Sequence, residues 1–242
     1  MVKDIDFSIR NNTKDSLNVV VFQQDKEIKG MFETIFPVAW RVMSLPGNTA
    51  DSKDGLCIWN FTYPALTYLG VSEIMLAMKK KRPLFKSKPG TGINLKMNMN
   101  KLELLTGENE RLTLVEPKDG QTWEFSINTN DKPALTLMTE TNPDAAISCT
   151  NKADKKVNIS LYKDFLPLIS AFDVGKNSSA EFCLTPKLWV MYSGDVEQGE
   201  KIGTFVDKSK SQEIDLKYIS RVILTLNKDP SSGEITWELK TG

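Results

Sequence analysis

The sequence predicts an all-β protein, an antiparallel β-sandwich with at most one or two short helices. Two observations carry that expectation. Apolar and polar residues alternate with period two from end to end, and clusters of turn-forming residues separate the alternating runs. A third supports it: helical spacing is nearly absent, so there is no βαβ rhythm to build a parallel sheet.

Ile5, Phe7 and Ile9 alternate with Asp4, Asp6, Ser8 and Arg10, and Leu17, Val19 and Val21 follow the turn-rich Asn11-Asn12-Thr13-Lys14-Asp15. These are two strands and a turn. Ile28, Met31, Phe32 and Ile35 fall at i, i+3, i+4 and i+7 just before Pro37, which predicts one short helix. Ile93, Leu95, Met97 and Met99 alternate with Asn94, Lys96, Asn98 and Asn100, and the apolar phase then slips to Leu102 and Leu104. A bulge or tight turn near Lys101 explains the slip. Trp123, Phe125 and Ile127 form another run, as do Val157, Ile159 and Leu161, then Phe182 and Leu184, then Ile214 and Leu216. The C-terminal hairpin is the clearest local feature. Val222, Leu224 and Leu226 face one way, the turn spans Lys228 to Gly233, and Ile235, Trp237 and Leu239 return on the same face.

An internal repeat runs at an offset of 140, since residues 11–25 and 151–164 pair Asn11 with Asn151, Asn18 with Asn158, Val19 with Ile159, Val21 with Leu161 and Phe22 with Tyr162. Each copy continues into a strand, a turn (Pro46-Gly47-Asn48 or Gly175-Lys176-Asn177) and a tryptophan-bearing strand (Trp59 or Trp189). Two related β-units are expected, residues 1–117 and 121–242, which either stand apart or share one continuous sandwich core.

Composition narrows the chemistry. The chain has 242 residues, 31 basic and 31 acidic side chains, three cysteines and no histidine. Imidazole-based hydrolases and imidazole metal sites are excluded. Cys57, Cys149 and Cys183 are odd in number and far apart, so they read as free thiols rather than a disulfide framework or zinc knuckle. No phosphate loop, dinucleotide fingerprint or calcium loop is present; no cofactor or metal is expected. No apolar run approaches the ~18 residues of a membrane helix. The N-terminus reads as a strand rather than a signal peptide, so the protein is expected in the cytoplasm, or exported without a signal peptide. Acceptor patterns for N-glycosylation at Asn11, Asn60, Asn158 and Asn177 then have no expected role.

Two surfaces are candidates for binding. Between Glu73 and Glu103 no acidic residue occurs, while Lys79, Lys80, Lys81, Arg82, Lys86, Lys88, Lys96 and Lys101 supply eight positive charges. With a net charge of zero, the remainder carries minus eight, and a basic patch of this kind suits anionic lipid headgroups or sulfated glycans. The bland reading is a solvated loop whose lysines and prolines blunt an edge strand. Trp40, Trp59, Tyr63, Tyr68, Trp189 and Tyr192 could stack on a pyranose ring, against the alternative that they fill the core.

In order along the chain, Asn11-Asn12-Thr13, Val21-Phe22-Gln23, Val38-Ala39-Trp40, Pro46-Gly47-Asn48-Thr49, Trp59, Thr185-Pro186-Lys187-Leu188-Trp189-Val190, Gln198-Gly199-Glu200, Leu224-Thr225-Leu226-Asn227 and Trp237 resemble the RhiA-type family of rhizosphere-expressed bacterial proteins. The sequence departs from that family by the basic stretch near Lys79 to Lys88 and by Asn60-Phe61-Thr62-Tyr63-Pro64-Ala65 after Trp59. The resemblance implies a small, soluble β-protein and brings no catalytic residues with it.

The functional expectation is a non-enzymatic protein acting by binding or self-assembly, as a homo-oligomer or ordered inclusion. Its edge would be the Asn94, Lys96, Asn98, Asn100 face, and zero net charge weakens self-repulsion. The alternatives are a lectin, or an anionic-lipid-binding effector or pore former using residues 79–88 and exposed aromatics, and an enzyme with a carboxylate pair brought together by folding. Nucleic acid is not an expected partner.

Overall fold

The computed structural model describes residues 3–24, 30–31, 33–49, 57–73, 96–98, 101–106, 110–140, 146–194, 196–203 and 210–242. Nineteen strands and no α-helix occur among them. The first stretch of chain gives β1 (Ile5–Asn11), β2 (Leu17–Phe22), β3 (Ile35–Pro37), β4 (Arg41–Leu45), β5 (Ile58–Tyr63), β6 (Tyr68–Glu73), β7 (Lys96–Asn98), β8 (Lys101–Thr106), β9 (Glu110–Val115), β10 (Gln121–Ile127) and β11 (Pro133–Glu140). The rest gives β12 (Ile147–Asn151), β13 (Val157–Lys163), β14 (Leu166–Val174), β15 (Ser179–Phe182), β16 (Lys187–Tyr192), β17 (Ser211–Asp215), β18 (Arg221–Lys228) and β19 (Ile235–Thr241).

The four sheets fall into two matched pairs. One pair has orders β19-β18-β1-β5 and β11-β10-β12-β15. The other has β17-β16-β2-β4 and the seven-stranded β3-β14-β13-β6-β9-β8-β7, whose stretch β14-β13-β6-β9 repeats the former in reverse. The directions agree as well. β1 runs parallel to β18 as β12 runs parallel to β10, and β2 runs antiparallel to β4 and β16 as β13 does to β14 and β6. Residues 5–140 therefore correspond to residues 147–241, strand for strand, apart from β3, β7 and β8. The copies are interlaced: β1 of the first lies on β18 of the second, and β12 of the second on β10 of the first. Three of the four sheets mix strands from 1–117 with strands from 121–242, and one buried cluster runs from Ile5 to Leu226.

The start of each copy is pinned by a buried asparagine. Asn11 Nδ2 donates to the carbonyls of Asp15, Leu45 and Pro46, and its Oδ1 accepts from Thr13 N–H and Oγ1–H. Asn151 Nδ2 donates to Lys155 and Val174 carbonyls, and its Oδ1 accepts from Ala153 N–H. Their backbones match too: Asn11 N–H donates to Cys57 and Asn12 N–H to Leu226, while Asn151 N–H donates to Ser178 and Lys152 N–H to Phe125. Strand alternation supplies the rest. In β2, Val19 and Val21 join the main core and Val20 and Phe22 a second one with Ala39, Trp189, Met191 and Ile202, so this strand is buried on both faces.

Two expectations change on contact with the structure, and the third, a bulge or tight turn near Lys101, resolves to the turn. The helix over Ile28 to Ile35 is absent at the described residues. Gly30 has φ 78° and its carbonyl accepts from Glu33, Thr34 and Ile35 N–H groups, which closes a tight turn before Ile35 joins β3 on the edge of β14. Trp59 and Trp189 are not counterparts, because Trp59 lies on β5, which matches β15, whereas Trp189 lies on β16, which matches β6. Near Lys101 the slip is a hairpin, with Asn98 paired to Lys101.

Candidate functional site

The expected aromatic platform does not assemble. Trp40 is fully buried and its Nε1–H donates to the Lys163 carbonyl at 2.8 Å, while Trp59 is buried against Phe61 with ring centroids 4.6 Å apart. Trp189 belongs to the second core, and Tyr192 is half-buried beside Trp237. Tyr63 is buried below Trp40 and Tyr68 stacks on Phe165 at 5.6 Å. Strand facing turned Trp59, Tyr63 and Trp189 inward, whereas Trp40 is buried from the connection between β3 and β4, and Tyr68 and Tyr192 are half-buried. The basic candidates Lys79, Lys80, Lys81, Arg82, Lys86 and Lys88 lie outside the described residues. Asn11, one of the glycosylation patterns, is fully buried and spent on the turn described above.

Sequence reasoning missed the concave site that does form, a groove of about 680 Å³ between the turn at Gly30, β3, the end of β14 and the start of β15. Two departures from the internal repeat build it. The first is the 18-residue connection from β2 to β4, residues 23–40, whose counterpart between β13 and β14 is the two-residue turn Asp164-Phe165. That connection crosses to the other copy. Ile35 to Pro37 pair with Ile169 to Ala171, Val38 N–H donates to the Leu168 carbonyl, and Trp40 N–H to the Val21 carbonyl. The second departure is one extra residue. Asn18 of β2 pairs with the single residue Ser44 of β4, but its counterpart Asn158 of β13 faces both Phe172 and Asp173. The bulge bends β14, puts Asp173 at φ 57°, and is held by Asn158 Oδ1 accepting from Asp173 N–H at 3.2 Å.

Lys201 arrives from a third segment. Residues 196–203 are laced to the β2–β4 connection by Ala39 N–H donating to Glu200, Gly199 N–H to Ala39, Ile202 N–H to Pro37, and a bridge between Val38 and Lys201. This places the Lys201 ammonium 3.3 Å from the Phe36 ring centroid and 5.5 Å from that of Phe172. The two rings stand 6.1 Å apart at 55° and form a corner around the cation. Burial lowers the Lys201 pKa, and the Asp173 charge opposes that shift. The groove wall also carries Glu33, Thr34, Ser178, Ser179 and Glu181. Among the described residues, no three carboxylates or thiols come close enough to hold a metal ion together.

A second charged feature is structural in character. Lys163, at the end of β13, is buried and its ammonium donates to the carbonyls of Pro64, Ala65 and Leu66 at 2.6, 3.2 and 3.4 Å, 4.5 Å from the Tyr63 ring centroid. Burial lowers its pKa to about 8 against the opposing charge of Asp4. Its counterpart in the first copy is Gln23, whose Nε2 donates to the Thr185 carbonyl at 2.5 Å. Each ties the loop that precedes the next strand. No signal in a single sequence marks the groove; when the two copies are lined up, the excess residue at Phe172-Asp173 and the long connection before β4 are two of the places where they fail to match, beside β7, β8 and a second register shift between Leu161 and Tyr162. No protein-family model matches the chain, and no curated protein is similar enough in sequence to count as a relative.

Proposed function

We propose that the chain works by binding, with the groove between β3, β14 and β15 as its ligand site. One observation carries the reading: the groove stands between two features that have no counterpart in the opposite copy, the long connection before β4 and the bulge in β14. Its volume falls in the usual range for small-ligand sites. Backbone in the left-handed region at a non-glycine, as at Asp173, is a feature that concentrates at such sites.

The test is a panel of neutral oligosaccharides, phosphatidylserine vesicles and the polyamine spermine, run on the parent and on Gly175→Trp. A Cβ on Gly175 would have only Ser178 Oγ within contact, at 3.8 Å, so an indole there fills the groove without displacing the backbone. A panel member that binds the parent and loses the plugged variant is expected. Equal binding to both proteins, or to neither, counts against the groove.

A second reading is self-assembly, favoured by β7, the strand bearing Lys96 and Asn98, which stands at the end of the seven-stranded sheet. Light scattering on a sizing column at low and high salt tests it. A defined oligomer is expected, and a monomer in both conditions removes this reading.

A further inference from the structure

We infer that the groove is a receptor for primary ammonium groups carried on an extended chain, and that Lys201 occupies one of its subsites from within the molecule. The inference rests on the groove being the ligand site. Three carboxylates, those of Glu33, Asp173 and Glu181, line the groove against one ammonium, Lys201. The neighbouring Lys176, beside the groove wall, is already paired with Asp154. A concave wall with that balance attracts cations through the excess negative charge of its described carboxylates.

The Phe36-Phe172 corner shows which kind of cation. It holds an alkylammonium at contact distance on one ring, with Asp173 acting on the same charge, and this is the arrangement by which aromatic faces and a carboxylate recognise amines. The side chain in that corner comes from residues 196–203, a segment joined to the groove wall through Val38 and Ala39 rather than part of the wall's own sheet. Lys201 is thus a tethered stand-in for a ligand amine. Because the carboxylates sit on three different segments, the turn before β3, β14 and β15, a string of separated ammonium groups can meet them one by one. Such a string can be a free polyamine or a run of lysines in a polypeptide, and this chain itself carries one at Lys79, Lys80, Lys81 and Arg82.

Calorimetric titration separates these sources. Spermine and a synthetic peptide of residues 77–90 are titrated into the parent, into Glu33→Gln/Asp173→Asn/Glu181→Gln, and into Lys201→Met, with thermal melts confirming that each variant folds. The triple substitution is expected to weaken binding at least about tenfold, as is raising the salt from low to physiological strength. Lys201→Met is expected to tighten binding about three- to tenfold, since it vacates the corner and removes a like charge; a purely structural lysine would give no tightening. Spermine bound and the peptide not bound assigns a free polyamine, and the reverse assigns a polypeptide source. If neither cation binds while an oligosaccharide does and is lost in Gly175→Trp, the amine assignment falls and the groove stands. If Gly175→Trp changes nothing, both fall.

Discussion

The two copies of the repeat are built alike in their strand pairings and unlike in what covers the outer faces of their sheets. Asn11 and Asn151 perform the same work at the same place, and the parallel pairings β1 with β18 and β12 with β10 match in register. The outer faces of the corresponding sheets differ. In one, Val20, Phe22, Trp189 and Met191 are covered by Ala39 and Ile202; in the other, the matching positions are Ser160, Tyr162, Tyr68 and Gly70, with Ser160 and Ser170 hydroxyls hydrogen-bonded at 2.7 Å. The first face needed a cover because it is apolar, and the segments that cover it are those that also build the groove. The difference teaches that the symmetric part is scaffold and that the embellishments on it were placed by what the scaffold left exposed.

The largest expected effect tests the symmetric part. Asn11→Ala leaves three carbonyls and the Thr13 N–H without their buried partner and is expected to cost about 4 kcal/mol, against about 3 kcal/mol for Asn151→Ala, where fewer bonds are lost. Urea unfolding of the two variants measures this, and a reversed order would break the comparison.

Lys163 and Gln23 sharpen it next. The folded pKa of Lys163, near 8, lies below that of a lysine in the unfolded chain, so between the two values the unfolded state holds the proton that the folded state has released. Stability from this group therefore rises with pH from about 8 to about 10.4, by at most about 3 kcal/mol. Lys163→Gln, which copies the residue of the first repeat, is expected to remove that rise in melts taken across the window.

Gly47 and Gly175 give a smaller contrast. A Cβ at Gly47 would stand 2.1 Å from the Lys14 carbonyl oxygen, a backbone atom that cannot step aside, whereas Gly175 is open. Gly47→Ala is expected to cost about 2 kcal/mol and Gly175→Ala under about 0.5 kcal/mol, read from thermal melts. The least effect is chemical rather than energetic. Burial, helped by the Glu124 charge, pushes the Cys149 thiol up to about 12, while Cys183 is exposed, so maleimide on the native protein should label Cys183 and spare Cys149.

Much of the scaffold was legible in the sequence. Period-two runs mark strands because one face of each meets the core, which is why Val222, Leu224 and Leu226 are buried and pair across to β19 as the alternation implies. The repeat was visible through Asn11 and Asn151 since both are fully buried and cannot drift. The groove was not visible. Phe36, Phe172, Asp173 and Lys201 come from three distant segments, and a one-residue bulge leaves no mark on hydrophobic periodicity. Trp40 and Trp189 left two readings open, since a large ring with one polar atom suits a wet platform and a core alike, and the structure buries both.

Interlacing also sets a timetable for synthesis. β1 is made well before its parallel partner β18, which comes last but one among the described strands, with Asn12 and Asn227 bonded across 215 positions of sequence. At ordinary elongation rates of roughly 5–20 residues per second, one side of β1 stays bare for about 10–40 seconds. β12 has no such wait, because β10 precedes it. The nascent chain thus carries an open edge on β1 until β18 is made, and on a crowded polysome the β18 of a neighbouring chain is chemically indistinguishable from the one it is waiting for.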